Sequence, residues 1–418
     1  MFWTSEASDW RPGRCGPPLP PGLRTYNPAM SSNAERFDHW IRGTFAELNT
    51  QLEELYFAQE DRAAVGGVGE ALKEQLRKQG NEHVGRLLAE GNTDEGFDAG
   101  FDLLGNVGLF MAACARHGAA DQDAKDGGLP EASALALQLG ASLGVTPRFA
   151  TSHLTTHNRA VEGRYKSFTT LRDEYLFTDY NTRGILGYKA AADALLRSLP
   201  LGVRHPVTAD LLRMAKSALA GVVASNERLF AELDTDRFFY CVRPYFKPHR
   251  VGQHVYRGAN AGDFAGINVI DMLLGLCRAD HAYYSQLLVD KFLYMMPEDQ
   301  VILRDCMRRR SLMDEFLALP APERRSSPCR ENLALFLEVC ALHGQTAAQH
   351  HDQLVAKFIE QPAEHIDEQH HDNLTASGPP LPVLLRALTR LRDLRQAADR
   401  DDIPSRYSDI QRLRESLL

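Results

Sequence analysis

The chain has 418 residues, of which 44% are hydrophobic and 24% are charged, so it can bury a large core in two or three domains. Its net charge of −8 argues against binding nucleic acid through overall electrostatic attraction. No stretch of about 20 apolar residues is free of charges, so we expect no membrane span. The seven cysteines include no C-x-x-C pair, which favours reduced thiols in a cytoplasmic protein over disulfides or a zinc site.

The first 29 residues are rich in proline and glycine and too polar for a secretory signal. Met30, followed by SSNAERFDHWI, is a more natural start. We therefore expect residues 1–29 to be a disordered tail or a mis-called start.

Apolar residues recur at helical spacing through the rest of the chain, and no convincing alternating strand is visible. The sequence therefore predicts an all-α fold, with a small N-terminal helical part over residues 30–125 and a larger helical domain over residues 126–418. An exposed loop is expected at 364–378. The predicted helices cover residues 67–90, 97–117, 130–145, 164–178, 184–198, 208–233, 264–278, 281–293, 297–308, 332–343, 345–361 and 380–397.

Several familiar catalytic motifs are missing from the sequence. It has no P-loop G-x-x-x-x-G-K-[ST], no H-E-x-x-H and no G-x-S-x-G, and the glycines of AVGGVGEAL do not follow a strand. The histidines of HIDEQHHD, residues 365–372, could bind a metal, but this composition is more typical of a solvated loop.

A predicted helix near the C-terminus, GQTAAQHHDQLVAKFIEQP, carries a histidine doublet between Gly344 and Pro362. At α-helical spacing His351 falls on the apolar stripe, whereas His350 points about 100° away. A histidine on such a stripe is more often a hydrogen-bonded core residue, and the functional alternative is an axial ligand of haem iron. The stripe is formed by Ala347, Leu354, Val355 and Phe358.

The stretch RFFYCVRPYFKPHRVGQHVYRG combines aromatic rings, prolines and cations between Arg237 and Gly258. Arg243 precedes a proline, so it is pushed out of helical geometry, and a guanidinium held in this way suits a carboxylate. Phe238 and Phe239 could flank a flat ring. A helix-capping loop, with its aromatic side chains packed into the core and its arginine at the surface, explains the same residues equally well.

These segments resemble a family of haem-dependent enzymes, over roughly residues 130–362. The family contains indoleamine 2,3-dioxygenase and the pyrrolnitrin-pathway enzyme monodechloroaminopyrrolnitrin synthase (PrnB). The matching segments are FFYCVRPYFKPHRVGQHVYRG, GANAGDFAGINVIDMLLGL, LYMMPEDQVILRD, HHDQLVAKFI and the distal-side stretch LGASLGVTPRFATSHLTTHN. The last of these is closer to the PrnB pattern.

The resemblance implies an indoleamine 2,3-dioxygenase-like helical fold that binds haem b and oxidises tryptophan or a related indole amino acid with dioxygen or peroxide. It places His351 on the iron, Arg243 on the substrate carboxylate, and Phe238 and Phe239 on the substrate ring. His153 and Thr155 would be catalytic residues on the distal side. The loop near a propionate and the substrate ammonium would consist of Gly258, Ala259, Asn260 and Ala261.

The sequence also departs from the family. Ala348 occupies the position where indoleamine dioxygenases carry an arginine beside a propionate, so Arg250, Arg257 or Lys189 would have to replace it. Ring cleavage therefore does not carry over. Two alternatives are a haem oxygenase acting on another aromatic or a guanidino amino acid, and a haem-binding sensor without catalysis. We expect no nucleic-acid or membrane partner, and a homo-oligomer is compatible with the sequence.

Overall fold

The computed structural model describes residues 32–91, 96–120, 128–361 and 381–418. It is 70% helical, and the strands it contains are β1 (His249–Val251) and β2 (His254–Tyr256), which pair antiparallel. The prediction of an all-α fold is therefore confirmed. The predicted tail, the predicted loop at 364–378 and the HIDEQHHD histidines lie outside the described residues.

Helices account for nearly all of the remaining order. The first half contains α1 (Asn33–Trp40), the π-helix π1 (Ile41–Phe45), α2 (Ala46–Phe57), α3 (Glu70–Glu90), α4 (Phe97–Arg116), α5 (Pro130–Leu143), α6 (Thr151–Leu154), α7 (Arg172–Ser198) and α8 (Pro206–Glu232). The second half contains α9 (Thr235–Arg237), π2 (Phe238–Val242), 3₁₀ helices at Arg243–Phe246 and Ala261–Asp263, α10 (Gly266–Leu274), α11 (Ala282–Phe292), α12 (Pro297–Cys306), α13 (Leu312–Ala318), α14 (Ala321–Arg325), α15 (Cys329–Ala348), π3 (Gln349–Glu360), α16 (Leu381–Arg395) and α17 (Tyr407–Glu415).

Local sequence signals explain several helix ends. Ser32 and Glu35 form a reciprocal capping box at the start of α1. Pro130 occupies the first turn of α5, where its missing N–H costs nothing, and Gly144 ends that helix in the left-handed conformation with φ 68°.

One hydrophobic cluster joins α1, π1, α3, α4 and α5. It also includes Phe149, Phe168 and Tyr245, so residues on both sides of the predicted boundary at residue 126 share this core. Helix α4 is long and apolar enough to cross a membrane, but 67% of its apolar window is buried within the protein. Such burial is typical of a core helix.

A second cluster forms the larger core. The two 27-residue helices α7 and α8 pack along each other, α15 packs on α8, and α10 packs on α7 and α12. Helices α13, α16 and α17 close this core around α15. Side chains from the facing surfaces of α7, α10, α15 and α16 lie close together in one region of this core.

Two expected helix boundaries are wrong. Helix α7 continues through residues 178–184, and α15 continues through Gly344, which was expected to start a helix. A Cβ on Gly344 would lie 3.1 Å from the Arg395 carbonyl oxygen. The glycine therefore allows α16 to approach α15 closely instead of breaking it.

Candidate functional site

The imidazole of His350 projects from the continuous helix formed by α15 and π3. His350 is accessible to solvent. Nevertheless, the surrounding protein desolvates the ring and, together with Arg395 and Lys291, lowers its pKa to about 4. From this combination we infer a hollow in the larger domain, which the ring faces. Within the described residues, no hydrogen bond engages either ring nitrogen, so a neutral imidazole projects into this space.

His351, the residue predicted to hold iron, has hydrogen-bonding neighbours. Its Nδ1 is 2.8 Å from Asp352 Oδ1, and its Nε2 is 2.8 Å from Thr389 Oγ1 on α16. Its side chain is 18% exposed, and its assignment to the iron stays a prediction. The helical register used for that assignment does not hold here. The counting used α-helical spacing, whereas residues 349–360 are wound as a π-helix, in which the repeat is i→i+5.

Lys291 of α11 and Arg395 of α16 are near enough to His350 to act on its pKa, and Tyr188 of α7 lies near Arg395. Tyr188 is partly accessible, yet burial raises the pKa of its hydroxyl, so that group stays protonated. Desolvation and the nearby Arg395 lower the pKa of Lys291 to about 8. Like His350, these side chains are partly accessible while surrounded by protein.

Asp271 of α10 lies beside this region and holds Arg395 in place. It is fully buried and accepts two hydrogen bonds from Arg395, from Nε at 2.9 Å and Nη2 at 2.8 Å. His343 Nε2 and the Tyr284 hydroxyl approach the same carboxylate, each at 2.7 Å. Burial raises the pKa of Asp271, but Arg395 and His343 more than offset this, so the carboxylate remains ionised.

Asp263 is the second buried carboxylate near the hollow. Arg148 donates to it from Nη2 at 2.9 Å, and Arg257 donates from Nη2 at 3.1 Å. The two guanidinium groups also lie 4.8 and 4.3 Å from the ring centre of Tyr294. The backbone N–H of Thr151 donates to the same carboxylate, which ties α6 to the loop before α10.

The predicted loop of small residues has mainly structural contacts. A Cβ on Gly258 would lie 1.7 Å from the Phe246 carbonyl oxygen, so this glycine is required by the protein backbone rather than by a ligand. Ala259 is buried in the N-terminal cluster. Asn260 accepts a hydrogen bond from Gly262 N–H at 2.7 Å and caps the 3₁₀ turn that starts at Ala261. The turn nevertheless meets the hollow, because Gly262 lies beside Lys291.

Arg243 is buried, with 5% of its surface exposed, and desolvation lowers its pKa to about 10. Its guanidinium lies 5.5 Å from the ring centre of Phe239. Phe239 packs against Ala63, whereas Phe238 packs against Phe358 of π3. The two phenylalanines thus lie in different clusters and do not form one wall. The carboxylate role of Arg243 stays a prediction.

The two residues predicted to be catalytic on the distal side have structural partners. His153 Nδ1 accepts from Ala150 N–H at 2.8 Å, and Nε2 donates to the Phe101 carbonyl at 2.8 Å. With both nitrogens used and its ring stacked on Phe101 at 3.9 Å, His153 cannot accept a proton without losing a bond. Thr155 donates to the Thr151 carbonyl within α6. Thr155 also lines a small cleft of about 20 Å³.

Of the three cations considered for a propionate, only Arg257 lies beside the hollow. Arg250 is on the β-hairpin and donates to the Gln253 carbonyl. Lys189 is exposed and lines the small cleft next to α6. Sequence reasoning missed Lys291, which has no motif around it. It also missed His343, whose Nε2 lies 2.7 Å from Asp271 Oδ1.

These residues fit a haem. A neutral imidazole on a rigid helix is a normal protein ligand of haem iron, and cations beside it suit the porphyrin carboxylates. In the part of the chain that the structure describes, no three His, Cys, Asp or Glu side chains are arranged to hold a bare metal ion.

An all-helical domain with a desolvated, neutral histidine beside several cations is characteristic of helical proteins that bind haem. A comparison with family models agrees: the model described as "Monodechloroaminopyrrolnitrin synthase PrnB" matches residues 31–417, nearly the whole chain. The chain belongs to this family. Its members are haem-dependent oxygenases that act with oxygen on a small indole-related substrate, so the chain is an enzyme.

Proposed function

We propose that the chain is a haem-dependent oxygenase of tryptophan or a closely related indole amino acid, and that His350 holds the haem iron. The observation that carries this proposal is the accessible, desolvated imidazole of His350, which has no hydrogen-bond partner among the described residues. Its pKa of about 4 keeps the ring neutral at physiological pH, as a metal ligand requires. The family match supports the cofactor.

The haem, when bound, would supply the activation of oxygen. The chain would hold it, orient the amino acid and limit access of water. His350 projects from the junction of α15 and π3, where Gln349 hydrogen-bonds to the Val223 carbonyl of α8 and fixes the helix against its neighbour. The Tyr188 hydroxyl stays protonated because burial raises its pKa, so it can donate a hydrogen bond within the hollow.

The experiment compares neighbouring histidine variants. His350→Ala should purify with less than about a tenth of the wild-type haem, because the ligand is removed, and added imidazole should restore a Soret band. His351→Ala is the matched control and should keep its haem, since it loses only contacts to Asp352 and Thr389. The opposite result would assign the iron to His351.

A second measurement addresses the substrate. Tryptophan should shift the Soret band of the ferric wild-type protein, whereas phenylalanine and arginine, which carry the same amino-acid group without an indole, should shift it much less. If an indole amino acid left the spectrum unchanged while another amino acid altered it, the proposed substrate class would be wrong.

A further inference from the structure

Lys291 is a cation near His350 that has no anionic partner among the residues the structure describes. Its Nζ lies 3.3 Å and its Cε 3.1 Å from the position of a Cβ on Gly262, so its side chain reaches the turn before α10. Within the described residues, Lys291 makes neither a hydrogen bond nor an ion pair. A desolvated ammonium is unfavourable unless an anion or several acceptors surround it.

The charges around Lys291 make its desolvated ammonium still less favourable. Arg148 and Arg257 share the single carboxylate Asp263, and Arg395 is matched by Asp271. Together with Lys291, these described side chains leave an excess of two positive charges. Arg257 and Arg395 both lower the pKa of Lys291, with desolvation as the main cause. The fold therefore keeps positive charge in a desolvated space that its own described carboxylates do not neutralise.

We propose that Lys291, supported by Arg257, binds a carboxylate that enters the hollow with the ligand of this site. Carboxylates form short, charge-assisted hydrogen bonds with ammonium and guanidinium groups. The inference rests on the proposed function, because the carboxylate belongs either to the porphyrin or to the amino-acid substrate. The porphyrin is the better match, since its two propionates equal the excess of two positive charges.

The position of Lys291 agrees with this role. Its approach to Gly262 places the ammonium at the turn before α10, and Arg257 reaches the same turn through Asp263. Both Lys291 and Arg395 act on the pKa of His350, so cation and imidazole face one space. A ligand that reaches His350 through its centre can therefore reach Lys291 through an acidic edge.

The test uses the haem-loaded protein and its Lys291→Met variant, which keeps the length of the side chain and removes the charge. Haem loss is followed by transfer to excess apomyoglobin. We expect loss to be about tenfold faster in Lys291→Met and close to the wild-type rate in Lys291→Arg. Lys78→Met, which removes an exposed lysine of α3, is the control and should match the wild type.

A second arm identifies the source of the carboxylate. Tryptophan and indole are titrated into both proteins by the Soret shift. If only haem loss changes, the porphyrin supplies the carboxylate; if haem loss is unchanged and tryptophan binds about tenfold more weakly while indole does not, the substrate supplies it. Either result supports the inference.

Wild-type behaviour of Lys291→Met in both arms would overturn the inference and leave the proposed function standing. A wild type that bound neither haem nor tryptophan would overturn both. Thermal unfolding of the haem-free proteins distinguishes carboxylate binding by Lys291 from a purely structural role. Removing an unpaired buried charge should leave the melting temperature of Lys291→Met equal or higher, whereas loss of a structural contact would lower it.

Discussion

The ion pair between Asp271 and Arg395, which lies beside the site, provides a test of how strongly burial increases the contribution of an ion pair to stability. The carboxylate of Asp271 receives two hydrogen bonds from Arg395, one from Tyr284 and one from His343, and none of its surface is exposed. Asp271→Asn would remove the negative charge and leave Arg395, whose side chain is 13% exposed, without its counterion. Breaking a buried ion pair on one side costs about 3–5 kcal/mol, a large share of the roughly 5–15 kcal/mol that stabilises a folded protein.

The chain contains a matched control for this change. Asp280 accepts two hydrogen bonds from Arg278, at 2.9 and 2.6 Å, in the same bidentate geometry. Both of these side chains are more than half exposed, at 67% and 56%, so solvent replaces the lost interaction. Asp280→Asn should therefore cost less than about 1 kcal/mol.

Urea unfolding measures both variants. With an m-value of about 3 kcal/mol/M, Asp271→Asn should lower the midpoint by about 1–1.7 M, and Asp280→Asn by less than about 0.3 M. The pKa of Asp271 lies below its ordinary value, so its contribution is present above about pH 4 and is lost as the pH falls. Equal midpoints for the two variants would refute the argument that burial decides the value of this ion pair.

Two further predictions concern residues first assigned to the site. Gly258→Ala should destabilise the fold by at least about 3 kcal/mol, because its Cβ would lie 1.7 Å from the Phe246 carbonyl oxygen. Gly66→Ala is the control, because a Cβ there meets nothing within 4 Å, and it should change the unfolding free energy by less than about 0.5 kcal/mol. Equal changes in unfolding free energy for the two substitutions would contradict the argument that packing against Phe246 requires glycine at position 258. Burial, with Lys166, lowers the pKa of His153 to about 3, so the stability it contributes is full above about pH 6.5 and falls below it by up to about 1.4 kcal/mol per pH unit. Calorimetry from pH 8 to pH 4 should therefore show a shallower decline for His153→Gln than for wild type, and parallel declines would contradict a neutral His153.

Several features of the site followed from the sequence because they are local. The all-α fold and the helix pattern around His350 and His351 depend on apolar spacing. The expectation that Pro244 pushes Arg243 out of helical geometry is wrong, because Arg243 has φ −56° and ψ −36° and begins a 3₁₀ helix. Family resemblance added the cofactor and directed attention to the histidine doublet. The choice within the doublet stays a prediction, because the α-helical repeat on which it was based does not apply to the π-helix at Gln349–Glu360.

By itself, the sequence determined which segments are helical, because backbone hydrogen bonds and apolar periodicity act over a few neighbouring residues. Only the tertiary structure decided which polar side chains meet. Lys291, Arg257 and Asp271 come from different elements and converge near His350, while His153 and Gly258 are engaged in packing contacts. Burial and Coulomb energy depend on distances in space, and residues far apart in the chain set those distances only after the helices have packed.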